Sequence, residues 1–157
     1  MKIVICRPQT EEEFERYYEL RWEILRKPWN QPKGSEKDEY EEEATHIIAC
    51  INNKIIGVGR IHMNSGEEAQ IRYMAIKGRY RGKGIGGLVL KELERVANEE
   101  GADYIILNAR KIVVDFYKFH GYKILEKAHT LFGCILHWKM RKDLQSSNNK
   151  RLKNIQL

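Results

Sequence analysis

The apolar positions of this chain fall into short runs and two helical stripes, and their order predicts a fold before any chemistry is considered. Ile3 to Cys6 is an apolar run of strand length. Thr10 then precedes Glu11-Glu12-Glu13, a hydroxyl acceptor followed three residues later by a carboxylate, the capping box that starts a helix. Phe14, Tyr17, Tyr18, Ile24 and Leu25 recur on one helical face until Pro28 and Pro32 end the pattern around Trp29. Glu36 to Glu43 is strongly acidic and reads as a solvated loop or mobile helix.

Thr45 to Ile51, Lys54 to Met63 and Glu68 to Ile76 are rich in β-branched and apolar residues. Asn52-Asn53 and Asn64-Ser65-Gly66 separate them and favour tight turns, so three antiparallel strands follow. Ile85, Leu88, Val89, Leu93, Val96 and Ala97 then mark the apolar side of an amphipathic helix, with Gly101 just past its end. Tyr104 to Leu107 reads as a buried strand, Ile112 to His120 as a short helix closed by Gly121, and Tyr122 to Leu125 and Cys134 to Met140 as two last strands. A strand meander followed by a β-α-β crossover predicts an α/β fold, a mixed sheet flanked by helices.

The length of 157 residues suits one domain, expected over 1–143, with 144–157 a tail that is mobile or packs peripherally. The opening apolar run is too short for a signal peptide and no later stretch reaches bilayer length, which predicts a cytoplasmic protein without a membrane partner. Cys6, Cys50 and Cys134 are odd in number and far apart, fitting neither a disulfide framework nor a zinc site, and read as buried thiols. The histidines show no paired helical spacing, so no metal is expected. Net charge of +6 hides an asymmetry: residues 1–45 hold 8 basic and 12 acidic side chains, net −4, leaving 20 basic and 10 acidic, net +10, from His46 onward. A basic second half suits a polyphosphate ligand, a membrane surface or nucleic acid, and charge alone does not choose among them.

The glycine-rich turn narrows the choice. Lys77-Gly78-Arg79-Tyr80-Arg81-Gly82-Lys83-Gly84-Ile85-Gly86-Gly87 links a strand to a helix start, where backbone N–H groups meet the positive end of the helix dipole. Such a turn is suited to phosphate, and Arg79, Arg81 and Lys83 add cations to its rim. A Walker A loop is excluded, because three residues rather than four separate Gly78 from Gly82-Lys83, and Gly84 follows the lysine. Gly82-x-Gly84-x-x-Gly87 meets the dinucleotide fingerprint, but antiparallel strands precede it where that motif needs the first β-α turn of a parallel sheet.

Arg81-x-x-Gly84-x-Gly86 resembles the pyrophosphate-binding signature of the GNAT superfamily of acetyl-CoA-dependent N-acetyltransferases. The resemblance continues in the preceding strand run Met74-Ala75-Ile76, in Ile105-Ile106-Leu107-Asn108-Ala109, and in Phe116-Tyr117 before Gly121-Tyr122. It covers roughly residues 45 to 141, and order and spacing together make it specific. It implies a centrally splayed sheet, with pantetheine pairing to main-chain groups near Met74, Ala75 and Ile76 and to Asn108. It further implies a pyrophosphate on the amides of Arg81, Gly82, Lys83, Gly84, Ile85 and Gly86, with Arg79 or Lys83 at the 3′-phosphate. Tyr117 occupies the family's position for the acid that protonates the departing thiolate; on its own it reads as a core aromatic, and Asn108 as a strand-end turn residue.

The position at which some family members place a basic glutamate corresponds to Gln70, which cannot take a proton. Glu68, two residues earlier on the same strand face, is the candidate base, with His62 and His137 as alternatives. The implied reaction is acetyl transfer to a primary amine of a small molecule or peptide by direct attack. A cationic amine suits the −4 segment, and a homodimer is left open. Two rivals remain: a non-catalytic acyl-CoA sensor, which Gln70 favours and Tyr117 opposes, and a nucleic-acid-binding module, which the scarcity of aromatics around the lysines opposes.

Overall fold

Over its first half the chain folds as its apolar pattern predicts. A computed structural model describes residues 2–144. In it β1 spans Ile3–Cys6, α1 Glu11–Leu25, β2 Thr45–Ile51, β3 Lys54–Met63 and β4 Glu68–Ile76. Then come α2 at Ile85–Glu99, β5 at Tyr104–Arg110, α3 at Val114–Phe119, β6 at Lys123–Leu131 and β7 at Ile135–Asp143. The strands form one seven-stranded sheet of order β1-β2-β3-β4-β5-β7-β6, in a mixed α/β architecture with flanking helices.

The residues divide into two compact units, one from the chain up to His62 with Ile71–Arg95, the other from Met63–Gln70 with Val96 onward. In the first unit, α1 starts as its capping box requires: the Thr10 hydroxyl accepts from the Glu13 N–H at 3.1 Å. Tyr17, Leu20 and Leu25 bury against Ile48, Ile55 and Val58, with Phe14, Tyr18 and Ile24 packed around them. Asn52 and Asn53 both take positive φ, 50° and 63°, which is the tight hairpin turn that joins β2 to β3.

Helix α2 lies close on β3 because β3 has glycine where it touches. A Cβ on Gly59 would stand 2.9 Å from both the Leu93 and Val89 side chains. Ile85, Val89, Leu90 and Leu93 are buried, each contributing roughly 1.5–3 kcal/mol by removal from water. Leu88, expected on that apolar face, is 43% exposed; the stripe runs through Leu90 instead.

In the second unit, β5 pairs with β7 from Tyr104↔Asp143 to Arg110↔His137, and β7 pairs with β6. Strand β6 runs to Leu131, well past the expected Leu125. It lies at the end of the strand order, is mostly exposed, and its pairing slips at two places, so it carries no clean alternation to read. Leu144, at the start of the expected tail, is buried and donates its N–H to the Asp103 carbonyl at 2.8 Å. The rest of that tail, 145–157, lies outside the described residues.

Two expectations are corrected. Cys6 and Cys134 are exposed and Cys50 is half-buried, so the thiols are not core residues; burial and the neighbouring Cys6 push the Cys50 thiol up to about 11, which keeps it an inert thiol at neutral pH. The acidic segment is a run of turns solvated only in part, with Glu39, Glu42 and Glu43 exposed. Glu36 is buried, and Asp38 and Glu41 bind arginines that are themselves wholly buried, Arg21 and Arg60. A buried guanidinium without a carboxylate costs several kcal/mol, so those arginines dictate where the segment folds.

Candidate functional site

Most of the candidate cofactor residues lie in the first unit, along the end of β4 and the turn into α2. The turn is built by backbone geometry: Gly82 and Gly84 have φ of 74° and 82°, a region that costs a side-chain-bearing residue about 1–2 kcal/mol. A Cβ on Gly78, Gly82 or Gly84 would meet no atom within 4 Å, so open space lies above this main chain. Leu88 is the first residue to return a helical hydrogen bond, to the Gly84 carbonyl at 3.3 Å, and the amides before it face the turn without an intrahelical acceptor. Helix α1 answers the same need with Thr10 and three glutamates in its first turn, whereas α2 has no acidic residue there. The N-terminus of α2 therefore presents positive partial charge to that open space.

The basic residues divide the work. Arg81 donates its main-chain N–H to the Gly78 carbonyl at 3.2 Å and its Nε to the Ile76 carbonyl at 3.2 Å, so it braces the turn against the end of β4. That leaves the amides of Gly82 to Gly86 as the candidate anion donors. Arg79 and Lys83 both sit over the Tyr80 ring, at 5.3 and 5.9 Å from its centroid. These residues fit the diphosphate and peripheral phosphate of a coenzyme A.

Met74, Ala75 and Ile76 complete β4 and follow a feature that the apolar pattern does not announce. Tyr73 has φ of 59° in the middle of the strand, a left-handed conformation rare for an aromatic residue. Its ring is surrounded by guanidinium groups: Arg21 at 4.2 Å from the centroid, Arg72 at 4.6 Å, Arg60 at 5.0 Å and Arg26 at 5.6 Å. The one signal in the sequence is Arg60 itself, a charge inside the otherwise apolar and neutral run of β3.

His62, a candidate base, also lies in this unit, where its Nδ1 is 3.0 Å from an Arg60 guanidinium nitrogen and its ring stacks on Tyr40 at 4.3 Å. A guanidinium only donates, so Nδ1 is the acceptor of that bond and is not available to take an amine proton.

The second unit carries Glu68, Gln70, Asn108, Tyr117 and His137. Glu68 heads β4; Asn64 donates its amide to the Glu68 carboxylate at 3.0 Å and to the Gln70 side-chain oxygen at 2.9 Å. Glu68 is thus held by a neutral donor. Asn108 lies on β5 with an exposed side chain, opposite Lys139 of β7. Tyr117, on α3, is 7% exposed, packed edge-on against Phe116 at 5.0 Å and Tyr122 at 5.6 Å. Burial pushes its hydroxyl well above the ordinary phenol range, so it remains a proton donor at neutral and moderately basic pH. His137 is buried, stacks on His129 at 5.0 Å and donates Nδ1–H to the Ile135 carbonyl; burial lowers its pKa.

Among the described residues no group of three or more His, Cys, Asp or Glu side chains is placed to hold a metal ion, and no helix is long and apolar enough to cross a membrane.

Comparison with known proteins gives the family. The sequence model of the Acetyltransferase (GNAT) family matches residues 14–122. An uncharacterized N-acetyltransferase of Bacillus subtilis (strain 168), YjcF, is 38% identical over 143 residues, covering 91% of this chain and all of that protein. Among solved structures, a GNAT family acetyltransferase from Elizabethkingia anophelis with acetyl-CoA bound superposes with a TM-score of 0.76 at 19% identity, over 90% of this chain and 98% of that one. An aminoglycoside 6'-N-acetyltransferase complexed with coenzyme A gives a TM-score of 0.75 at 16% identity, over 91% and 97%. The fold, the phosphate-suited turn and the match of more than half its length together show that this chain belongs to the GNAT family of acetyltransferases.

Proposed function

We propose that this acetyltransferase uses acetyl-CoA as co-substrate and moves the acetyl group to a primary amine of a small molecule or peptide by direct attack. The observation that carries the reading is the start of α2, where left-handed glycines, an acid-free first turn and a basic rim are all suited to a diphosphate. The amides of Gly82 to Gly86 hold that diphosphate, Arg79 and Lys83 meet the 3′-phosphate, and the main chain of Met74 to Ile76 pairs with the pantetheine arm as an added strand does. Asn108 contributes an amide contact to the same arm.

In the reaction the amine nitrogen adds to the thioester carbonyl carbon and the carbon–sulfur bond breaks. Glu68 takes the proton released by the amine, and Tyr117 gives its hydroxyl proton to the departing sulfur. Solvent then returns the proton from Glu68 and restores Tyr117, leaving an amide and free coenzyme A. Gln70 has no part as a base, which leaves the proton acceptor to Glu68, two residues earlier on β4. Asp38 and Glu41 are spent on Arg21, Arg60 and Arg72, so within the acidic segment a cationic acceptor would rely on the exposed Glu39, Glu42 and Glu43.

The test is release of free coenzyme A from acetyl-CoA across a panel of polyamines, an aminoglycoside and peptides with free N-termini. Turnover that depends on one class of amine is expected. Tight binding of acetyl-CoA with no turnover of any primary amine would overturn amine transfer in favour of a sensing role, and absence of binding would remove the coenzyme itself.

A further inference from the structure

A left-handed aromatic residue inside a strand persists only where its surroundings over-determine it, and the surroundings of Tyr73 are unusual. Guanidinium groups from α1, β3 and β4 itself, with Arg26 just past α1, pack on one ring. Like charges so close together repel, and the arrangement holds because carboxylates of the acidic segment stand behind them. Asp38 binds Arg60 through both its oxygens, at 2.5 and 3.0 Å, and turns one of them to Arg72 at 2.6 Å. Glu41 binds Arg21 at 2.8 Å and Arg60 at 2.6 Å. The segment is itself fixed: the Asp38 N–H donates to Glu41, the Tyr40 N–H donates to Asp38, and the Glu41 carbonyl meets His46 Nε2 at 2.8 Å. His46 Nδ1 in turn lies 2.8 Å from the Tyr17 hydroxyl, which Arg21 also contacts.

We propose that Asp38 is a positioning residue for acetyl transfer: by clamping Arg60 and Arg72 onto the Tyr73 ring it holds the left-handed turn of β4 that aims the main chain of Met74 to Ile76. The inference rests on the assignment of that main chain to the pantetheine arm. A left-handed residue in a strand bends it and redirects the groups that follow, so Tyr73 sets where the N–H and C=O groups of the next residues point. Without Asp38, Arg72 loses its carboxylate, the guanidinium packing on the ring opens, and Tyr73 relaxes toward ordinary extended backbone. The diphosphate turn begins after Ile76 and is shaped by its own left-handed glycines, so grip on the coenzyme falls much less than aim of the thioester.

The experiment compares wild type with Asp38→Asn, Asp38→Glu and Arg72→Gln, measuring kcat for amine acetylation, the Kd of coenzyme A by calorimetry, and Tm. Misplacement of reacting atoms by about 1 Å costs on the order of 10²-fold, so kcat of Asp38→Asn should fall at least about tenfold, with Kd changed less than about threefold. Asp38→Glu, which keeps the charge, should recover most of the loss. Should Asp38→Asn fail to fold because it strands buried arginines, Arg72→Gln decides the matter, since Arg72 is 37% exposed and its loss leaves no buried cation unpaired. Undiminished kcat in Arg72→Gln or in folded Asp38→Asn, beside an active wild type, overturns the inference alone. Equal loss of kcat and coenzyme affinity, tracking the fall in Tm, reduces Asp38 to a stabilising role and also overturns it. A wild type inactive on every amine removes the proposed function, and this inference with it.

Discussion

Tyr117 is the residue whose chemistry is most sharply defined by its environment. A phenol must keep its proton to serve as an acid, and burial raises its pKa, so its donor form is complete at every pH below the ordinary phenol value of about 10. The sign matters: deprotonation would end activity as pH rises, and the upward shift moves that loss beyond the accessible range. Wild-type kcat should therefore show no falling limb between about pH 7 and 10. Tyr117→Phe keeps the ring contacts with Phe116 and Tyr122, so coenzyme affinity should hold while kcat falls roughly 10²-fold, the low end for a general acid. Steady-state kinetics over that pH span checks both, and normal turnover in the phenylalanine variant would take Tyr117 out of the acid role. Glu68 is less isolated, since Asn64 donates to its carboxylate, and what makes it a candidate is its place on β4 two residues before Gln70.

At the scale of elements, the two long helices end in opposite ways, and the difference yields a paired prediction. Helix α1 satisfies its own first turn, so Thr10→Ala should cost about 1 kcal/mol in stability and leave coenzyme binding untouched. Helix α2 has no acidic residue in its first turn, so Gly84→Asp should abolish binding by placing a carboxylate at the proposed diphosphate site. Because no protein atom lies within 4 Å of a Cβ there, its stability loss should stay near the backbone strain of about 1–2 kcal/mol. Calorimetry and thermal melts on the two variants separate the roles, and binding by Gly84→Asp would remove the turn from the site.

The same contrast explains what the sequence could and could not reveal. The capping box, the Asn52-Asn53 turn and the glycine run are local signals, each sufficient to fix its own geometry, and β1 to β4 end where those signals put them. Among the described residues strand β6 has a partner on one side only and no alternation, and the Phe132-Gly133 turn with positive φ at both positions uses a residue type that does not advertise it. Asp38, Arg60 and Arg72 are brought together by pairing across 22 and 34 residues, and a charge run has no local feature to distinguish a solvated face from a buried counter-charge.

For the whole molecule, the consequence of the assignment is a linkage between coenzyme and stability. The chain carries +6 overall and +10 from His46 onward, and its proposed phosphate donors, from Arg79 to Gly86, all fall within that basic stretch. Arg79 and Lys83 stand over one Tyr80 ring, and the first turn of α2 has no acidic residue, so a bound diphosphate supplies counter-charge that the chain itself does not place there. A ligand that binds only the folded state at a hundred times its Kd adds about 2.7 kcal/mol, which for a chain of this size raises Tm by roughly 5–10 °C. The ionic part of that gain is screened, so the shift should shrink as salt rises from about 0.05 to 0.5 M, while the melting of the free protein moves much less. Dephospho-coenzyme A, lacking the 3′-phosphate, should give a smaller shift with a shallower salt dependence, and Lys83→Ala should bring the two coenzymes together. Melting curves across that grid resolve each contact separately; equal shifts from both coenzymes in wild type would detach Arg79 and Lys83 from the 3′-phosphate while leaving the diphosphate turn in place.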